Sequence, residues 1–185
     1  TGIKKVCLVG GYALNVVCNS FLVKNLPDVD FYFEPIADDT GITIGASLLY
    51  HQRTENVIPK IPFDTFFHSF KYDLKNINGE LVNEKQIANY LTQGKIVAVF
   101  NGQAEVGPRA LGNRSILFDA RDPDAKNKIN KVKNREWYRP FAAIVLEEDS
   151  KKYFNMYHLE SSPEMTISFP VISNEIPGVC LLYTS

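Results

Sequence analysis

An apolar run that leads straight into a loop rich in glycine and arginine constrains this chain more than any other feature. The run, 94–100 (GKIVAVF), is rich in β-branched and aromatic residues and predicts a buried strand. The loop that follows, 101–117 (NGQAEVGPRALGNRSIL), holds three glycines and a proline, so its backbone can turn sharply and approach a ligand closely. Arg109 and Arg114 can therefore be directed at one phosphate or carboxylate, with the hydroxyl of Ser115 beside them.

A second basic segment favours an anion site over the alternative that these arginines are ordinary surface residues of a turn. Lys133, Arg135 and Arg139 lie directly before residues 140–146 (PFAAIVL), which predict another apolar strand. If the two strands are neighbours in one sheet, the basic segments meet at its edge, where α/β proteins commonly bind anionic ligands.

A glycine pair near the start of the chain is a second candidate anion site. Residues 5–9 predict a strand, and Gly10 and Gly11 lead from it into a helix, whose first N–H groups can bind an anion. A tight turn without a ligand is the alternative. Asp39 precedes a helix predicted over 41–50, and capping of that helix is a simpler role for it than metal binding.

The remaining pattern predicts a mixed α/β chain with a boundary between two domains. Residues 54–79 form an aromatic connector without clear periodicity, which we take as the boundary. Further strands are predicted at 29–34 and 115–118, and helices at 82–91 and 125–133. Two aromatic side chains before the 140–146 run are expected to pack against the core: Trp137 and Tyr138.

The composition restricts the class of protein. The 185 residues are 45% hydrophobic and 22% charged, as in ordinary globular domains. A formal net charge of -1 disfavours a general nucleic-acid or membrane-surface binder. The sequence has no apolar run long enough to span a bilayer, so we expect a cytoplasmic location and no membrane partner. Three cysteines without CxxC spacing disfavour both a disulfide framework and a cysteine-ligated zinc site.

Four segments carry a resemblance to a known family. They are 10–15 (GGYALN), 39–46 (DTGITIGA), 102–117 and 135–142 (REWYRPFA), and they occur in this order in the O-carbamoyltransferase family. That family includes nodulation protein U and the tobramycin and cephalosporin carbamoyltransferases. The resemblance extends from about Val6 to about Pro177.

The resemblance implies an α/β fold with two parts. Residues 1–57 would be the end of an actin-like (ASKHA) carbamoyl-transfer domain. Residues 58–185 would be a YrdC-like domain, a twisted open sheet with a positively charged cavity, and we expect it to be truncated. The chain is thus expected to be a fragment of a longer enzyme, and apolar surface at its ends would allow a homodimer.

The resemblance also implies an activity and its residues. Carbamoyl phosphate and ATP would form carbamoyl adenylate, whose carbamoyl group moves to a hydroxyl of a small molecule or saccharide. In the first domain Gly10, Gly11 and Asn15 would contact nucleotide, and Asp39 would bind a divalent metal, iron or magnesium. The expected site residues of the second domain are Gly107, which contacts nucleotide, and Arg109, Arg114, Ser115, Lys133, Arg135 and Arg139, which act on the phosphates.

Two other functions stay open at this stage. A YrdC-like cavity also suits the phosphates of RNA, which would make the chain an RNA-binding module. The chain could equally be an interaction domain without catalytic activity. Binding of ATP and carbamoyl phosphate would distinguish the enzyme from both.

Overall fold

The computed structural model describes residues 2–58 and 78–179, which belong to two compact units. Unit 1 comprises Thr1–Phe70, Gln103–Leu111 and Ser162–Ser168. Unit 2 comprises Lys71–Gly102, Gly112–Ser161 and Phe169–Ser185. The loop rich in glycine and arginine, 101–117, is therefore divided. Gln103–Leu111 belongs to unit 1, and the residues on either side of it belong to unit 2.

Unit 1 contains a parallel strand pair and two longer helices. Strand β1 (Lys5–Leu8) pairs in parallel with β2 (Asp30–Phe33), and Leu8 lies opposite Phe33. A short 3-10 helix (Gly11–Leu14) and helix α1 (Val16–Asn25) connect the two strands. Helix α2 (Thr40–Glu55) follows β2. The strand, helix and strand order is the parallel βαβ unit that alternating apolar segments predict.

A small core holds unit 1 together. Its most buried apolar residues lie on the 3-10 helix, α1, β2 and the segment after β2: Ala13, Val23, Phe33, Ile36 and Ala37. Asn19 of α1 is fully buried, and its Nδ2 donates to the carbonyl oxygens of Ala13 (2.7 Å) and Thr166 (2.8 Å). Because a buried amide needs such partners, this side chain ties Ser162–Ser168 to α1.

Unit 2 contains an antiparallel strand pair and shorter helices. Helix α3 (Glu84–Thr92) begins with a capping box formed by Asn83 and Gln86. Strand β3 (Val97–Phe100) pairs with β4 (Arg114–Leu117), and Phe100 lies opposite Arg114. The unit is completed by α4 (Ala125–Val132), a 3-10 turn (Glu147–Asp149), α5 (Ser150–Tyr153) and a single bridge between Phe154 and Val171.

The predicted local elements are largely confirmed, with two corrections in unit 2. Residues 140–146 form no strand, so β3 has no partner in that segment. Trp137 and Tyr138 do not pack against the core, since they are 72% and 54% exposed. The structure is a mixed α/β arrangement of small sheets and helices. The actin-like and YrdC-like assignments and their limits stay predictions, and most of the aromatic connector lies outside the described residues.

Candidate functional site

A cleft of about 760 Å³ lies in unit 1, at the carboxyl ends of β1 and β2. This is the edge of a parallel sheet where ligands usually bind. One wall is formed by the turn after β1, with Gly10 and Gly11, and another by the start of α2. The acidic side chains that line it are Glu34, Asp38 and Asp39. The cleft thus unites the glycine pair with Asp39, two features that the sequence analysis selected separately.

The glycine pair opens a 3-10 helix and not α1 itself. Gly10 has φ 76° and ψ 172°, a conformation that favours glycine, and Gly11 begins the 3-10 turn. Helix α1 starts later, and the side chain of Asn15 caps it by accepting a hydrogen bond from Cys18 N at 3.1 Å. Asn15 is therefore occupied as a helix cap and is absent from the cleft lining, and its nucleotide contact stays a prediction.

Glu34 is held in the cleft wall by two hydrogen bonds. Its Oε2 accepts from the hydroxyl of Tyr32 at 3.1 Å, and its Oε1 accepts from Ile36 N at 3.1 Å. Desolvation of the Tyr32 hydroxyl, helped by the charge of Glu34, raises the pKa of Tyr32 to about 12. Burial, together with the same charge, raises the pKa of Glu164. Negative charge is thus concentrated beside the cleft.

Asp39 keeps its carboxylate free of helix capping. It occupies the N-cap position of α2 but makes no side-chain cap hydrogen bond, so the capping role expected from the sequence is wrong. Its neighbour Asp38 makes the local contacts instead, because Asp38 Oδ1 accepts from Thr40 N and Thr40 Oγ1. Asp39 is exposed and lines the cleft, where it can contact a ligand.

The carboxylates of the cleft do not by themselves form a metal centre. Among residues 2–58 and 78–179, no group of three His, Cys, Asp or Glu side chains is placed to hold a metal ion. Carboxylate oxygens suit hard cations such as magnesium, but such a cation needs more ligands than Asp39 and its neighbours provide. A metal would therefore take its further ligands from water, from a bound phosphate or from other polypeptide.

The segment Gln103–Leu111 packs on the wall of this cleft through Gly107. Gly107 has φ +99°, and a Cβ placed there would lie 3.1 Å from the carbonyl oxygen of Pro35. A side chain would therefore be strained by both conformation and contact. Arg109 Nη2 donates to the carbonyl oxygen of Leu14 at 3.2 Å, which links the segment to the end of the 3-10 helix. In unit 1 these two residues support the cleft, and the nucleotide contact of Gly107 and the phosphate contact of Arg109 stay predictions.

Arg114 joins the ends of β3 and β4 in unit 2. Its Nη1 donates to the carbonyl oxygens of Asn101 (2.9 Å) and Asn113 (2.8 Å), and its Nη2 donates to that of Gly102 (3.0 Å). The guanidinium also lies 3.4 Å from the centre of the Phe100 ring. Ser115 Oγ accepts from Gly112 N at 3.0 Å and closes the adjacent turn. Both residues thus have structural contacts, which a ligand would add to or replace.

The basic segment after α4 is organised by one buried amide. Asn130 is 1% exposed, and its Nδ2 donates to the carbonyl oxygens of Trp137 (3.2 Å) and Arg139 (3.0 Å). Its Oδ1 accepts from Arg135 Nε at 2.5 Å. Asn130 could not be selected from the sequence, because α4 has two asparagines among its lysines and the pattern does not indicate which one is buried. We call residues 134–140 the basic loop.

The basic loop brings two predicted arginines close together. Burial, with the positive charge of Arg139, lowers the pKa of Arg135, and the Arg135 guanidinium lies 4.3 Å from the centre of the Phe141 ring. Arg139 Nε donates to Glu136 Oε2 at 2.5 Å, an exposed ion pair. Lys133, the C-cap residue of α4, is exposed just before the loop. Neighbouring guanidinium groups of this kind can neutralise a phosphate.

The predicted site residues divide between the units. Unit 1 holds Gly10, Gly11, Asn15, Asp39, Gly107 and Arg109, and unit 2 holds Arg114, Ser115, Lys133, Arg135 and Arg139. Within each unit the structure joins some of them, such as Gly10 with Asp39 and Arg135 with Arg139. Glu34 and Asp38 line the cleft but were not predicted from the sequence. Their position just after a parallel strand was the signal that could have found them.

Comparison with known proteins decides the family. A family model described as "Carbamoyltransferase N-terminus" matches residues 1–48, and one described as "Carbamoyltransferase C-terminus" matches residues 88–181, more than half of the 185 residues. The chain belongs to the carbamoyltransferase family. The resemblance seen in the four sequence segments is thereby confirmed.

Relatives of this carbamoyltransferase chain include several nodulation proteins. It is 32% identical to nodulation protein NolNO of Sinorhizobium fredii, over 96% of this chain and 27% of that protein. It is 34% identical to nodulation protein NolO of Bradyrhizobium diazoefficiens, over 84% of this chain and 31% of that protein. It is 34% identical to nodulation protein U of Azorhizobium caulinodans, over 82% of this chain and 27% of that protein. The chain thus spans less than a third of the length of these relatives.

A helix that crosses a membrane must be both long and apolar. In the described parts of the chain, no helix meets both requirements.

Proposed function

We propose that this chain is part of an ATP-dependent O-carbamoyltransferase that forms carbamoyl adenylate and passes its carbamoyl group to a hydroxyl of a small molecule or saccharide. The observation that carries the proposal is the match of residues 88–181 to the carbamoyltransferase C-terminus. That segment contains both Arg114 and the basic loop. The reaction joins two anions, so it requires paired cations near the phosphate oxygens.

The proposed first step joins carbamate to the α-phosphate of ATP. Water cleaves carbamoyl phosphate to carbamate and inorganic phosphate, and a carbamate oxygen attacks the α-phosphorus of ATP. A new O–P bond forms, the bond from the α-phosphorus to the bridging oxygen breaks, and pyrophosphate leaves with the electron pair. Arg135 and Arg139 would neutralise the phosphoryl oxygens, with Lys133 and Arg114 as further cations and Ser115 as a hydrogen-bond donor.

In the proposed second step the acceptor hydroxyl oxygen attacks the carbamoyl carbon of the adenylate. The C–O bond to the phosphate breaks, AMP leaves, and the hydroxyl proton is transferred to a base. The unit 1 cleft, with about 760 Å³, has a size typical of small-molecule sites. The N–H groups after Gly10 would contact the nucleotide. Asp39 would supply one oxygen ligand to a divalent cation, iron or magnesium. The other ligands of that cation would come from outside the described residues.

Pyrophosphate exchange tests the adenylating step directly. The chain is incubated with ATP, labelled pyrophosphate and carbamoyl phosphate, and we expect label to enter ATP only when carbamoyl phosphate is present. Arg139→Ala should slow the exchange about a hundredfold, because one charge-assisted contact to the transition state is lost. Arg53→Ala, which removes an exposed arginine of α2, is the matched control and should change nothing. Absence of exchange by the folded chain would contradict adenylation by this segment.

A further inference from the structure

The basic loop exposes a tryptophan on a rigid backbone. Trp137 is 72% exposed, although indole side chains are mostly buried in folded proteins. The carbonyl oxygens of Trp137 and Arg139 both accept from Nδ2 of the buried Asn130, and Arg139 N donates to Glu136 O at 3.2 Å. The backbone under the indole is therefore held in place while the ring itself is open to solvent. Such a preorganised aromatic surface loses little conformational entropy when a ligand packs on it.

The surroundings of the indole are aromatic and cationic. The Tyr138 ring stands edge-on to it, with centroids 6.0 Å apart and an interplanar angle of 85°. Lys126 Nζ lies 5.6 Å from the centre of the Trp137 ring. Arg135 and Arg139 each lie two positions from Trp137 in the chain. A flat ring beside several cations matches a ligand that combines a planar base with negative charge.

The kind of ligand follows from the two different groups that the basic loop offers. The Trp137 indole is an exposed aromatic face, and Arg139, two positions along the chain, supplies a cation. An inorganic anion is too small to use both, whereas a nucleotide carries base and phosphates on one sugar. The chemistry thus favours a nucleotide over phosphate alone.

We propose that Trp137 is the stacking platform for the adenine base of ATP, whose phosphates Arg135 and Arg139 bind. The inference rests on the proposed function and assigns the base contact within it. Asn130 acts as a positioning residue, because it holds the backbone of both Trp137 and Arg139. Stacking on an aromatic side chain gives affinity for the base independent of the phosphate contacts.

The chain contains a single tryptophan, so its fluorescence reports on this platform directly. ATP is expected to quench or shift the Trp137 emission saturably, while tripolyphosphate, which has the charge and lacks the base, leaves the emission nearly unchanged. By calorimetry, Trp137→Ala should weaken ATP binding about five- to a hundredfold and leave tripolyphosphate binding as in the wild type. Trp137→Phe, which keeps a ring, should lose less.

Tyr50→Ala is the matched control, because Tyr50 is 71% exposed on α2 and lies outside both the basic loop and the cleft lining. Its ATP affinity should equal that of the wild type. If Trp137→Ala binds ATP as tightly as wild type does, and likewise tripolyphosphate, the platform is overturned and the phosphate contacts of the proposed function stand. If the folded wild type binds neither ligand, the proposed function is overturned, and the platform with it. Tighter binding of single-stranded oligoadenylate than of ATP would overturn the platform in favour of an RNA site.

Discussion

Phe100 and Arg114 are direct partners across the antiparallel pair β3 and β4, and the Arg114 guanidinium lies 3.4 Å from the centre of the Phe100 ring. The same side chain donates to three backbone carbonyl oxygens beyond the end of β3 and before β4. One arginine therefore fastens both strands and the loop ends that join them.

Arg114→Lys is expected to lower the free energy of unfolding of unit 2 by about 2 kcal/mol. The ammonium keeps the charge but cannot reproduce the planar fork on three carbonyl oxygens or the stack on Phe100. Urea unfolding followed by hydrogen exchange of the β3 and β4 amides measures this unit, since both strands lie in it. Arg53→Lys on the exposed face of α2 should change the same transition by less than about 0.5 kcal/mol. Equal effects of both substitutions would contradict the fastening role.

Two glycines of α2 should respond oppositely to alanine. A Cβ at Gly41 would overlap the carbonyl oxygen of Ile36, whereas a Cβ at Gly45 meets nothing within 4 Å. Gly41→Ala should therefore destabilise unit 1 by about 1–3 kcal/mol through overpacking. Gly45→Ala should stabilise it by about 0.5–1 kcal/mol, because alanine has the higher helix propensity. Far-UV circular dichroism in urea measures both, and effects of the same sign would show that the contact with Ile36 is absent.

Asn130→Ala should loosen the basic loop and destabilise unit 2 by about 1–3 kcal/mol. The substitution leaves two carbonyl oxygens and the Nε of Arg135 without their buried partner. Asn127→Ala on the same helix is the control, because Asn127 is exposed and donates only to Asp124 at 2.8 Å. The Arg135 Nε–H signal in NMR should exchange faster with solvent in Asn130→Ala than in Asn127→Ala. Unchanged exchange would argue against the positioning role.

Glu164 is expected to make unit 1 less stable as the pH rises. Burial and the charge of Glu34 raise its pKa above the ordinary value of 4.5, so the folded chain binds this proton more tightly than the unfolded chain. The associated stabilisation is complete below the unfolded pKa and is lost as the pH rises through the folded pKa. Glu164→Gln should therefore have a higher free energy of unfolding than wild type at neutral pH and the same value below about pH 4. A gain of equal size at both pH values would contradict this origin.

The helices and strands were predictable where local pattern and tertiary contacts agree. The capping box at Asn83 and the βαβ order around α1 are local signals, and the structure follows both. Residues 140–146 have equally strong strand propensity but find no ladder partner in the described chain. A strand depends on a neighbour that its own sequence does not specify, which is why that prediction is wrong.

Some residues of the candidate cleft could be selected from the sequence, and others could not. Gly10 and Asp39 were selected from motifs, and both line one cleft. Glu34 was missed because its role depends on the parallel pairing of β1 and β2, which brings the ends of both strands together. The exposure of Trp137 was also missed, since aromatic residues usually indicate core.

The chain leaves unit 1 and returns to it twice, through Gln103–Leu111 and Ser162–Ser168. Neither unit therefore corresponds to one continuous stretch of gene. In a hybrid joined to a relative at a single point between residues 58 and 78, both returning segments would come from the relative. They would then contact Pro35 and Asn19 of the native sequence. Exchange of whole units between relatives thus needs several junctions.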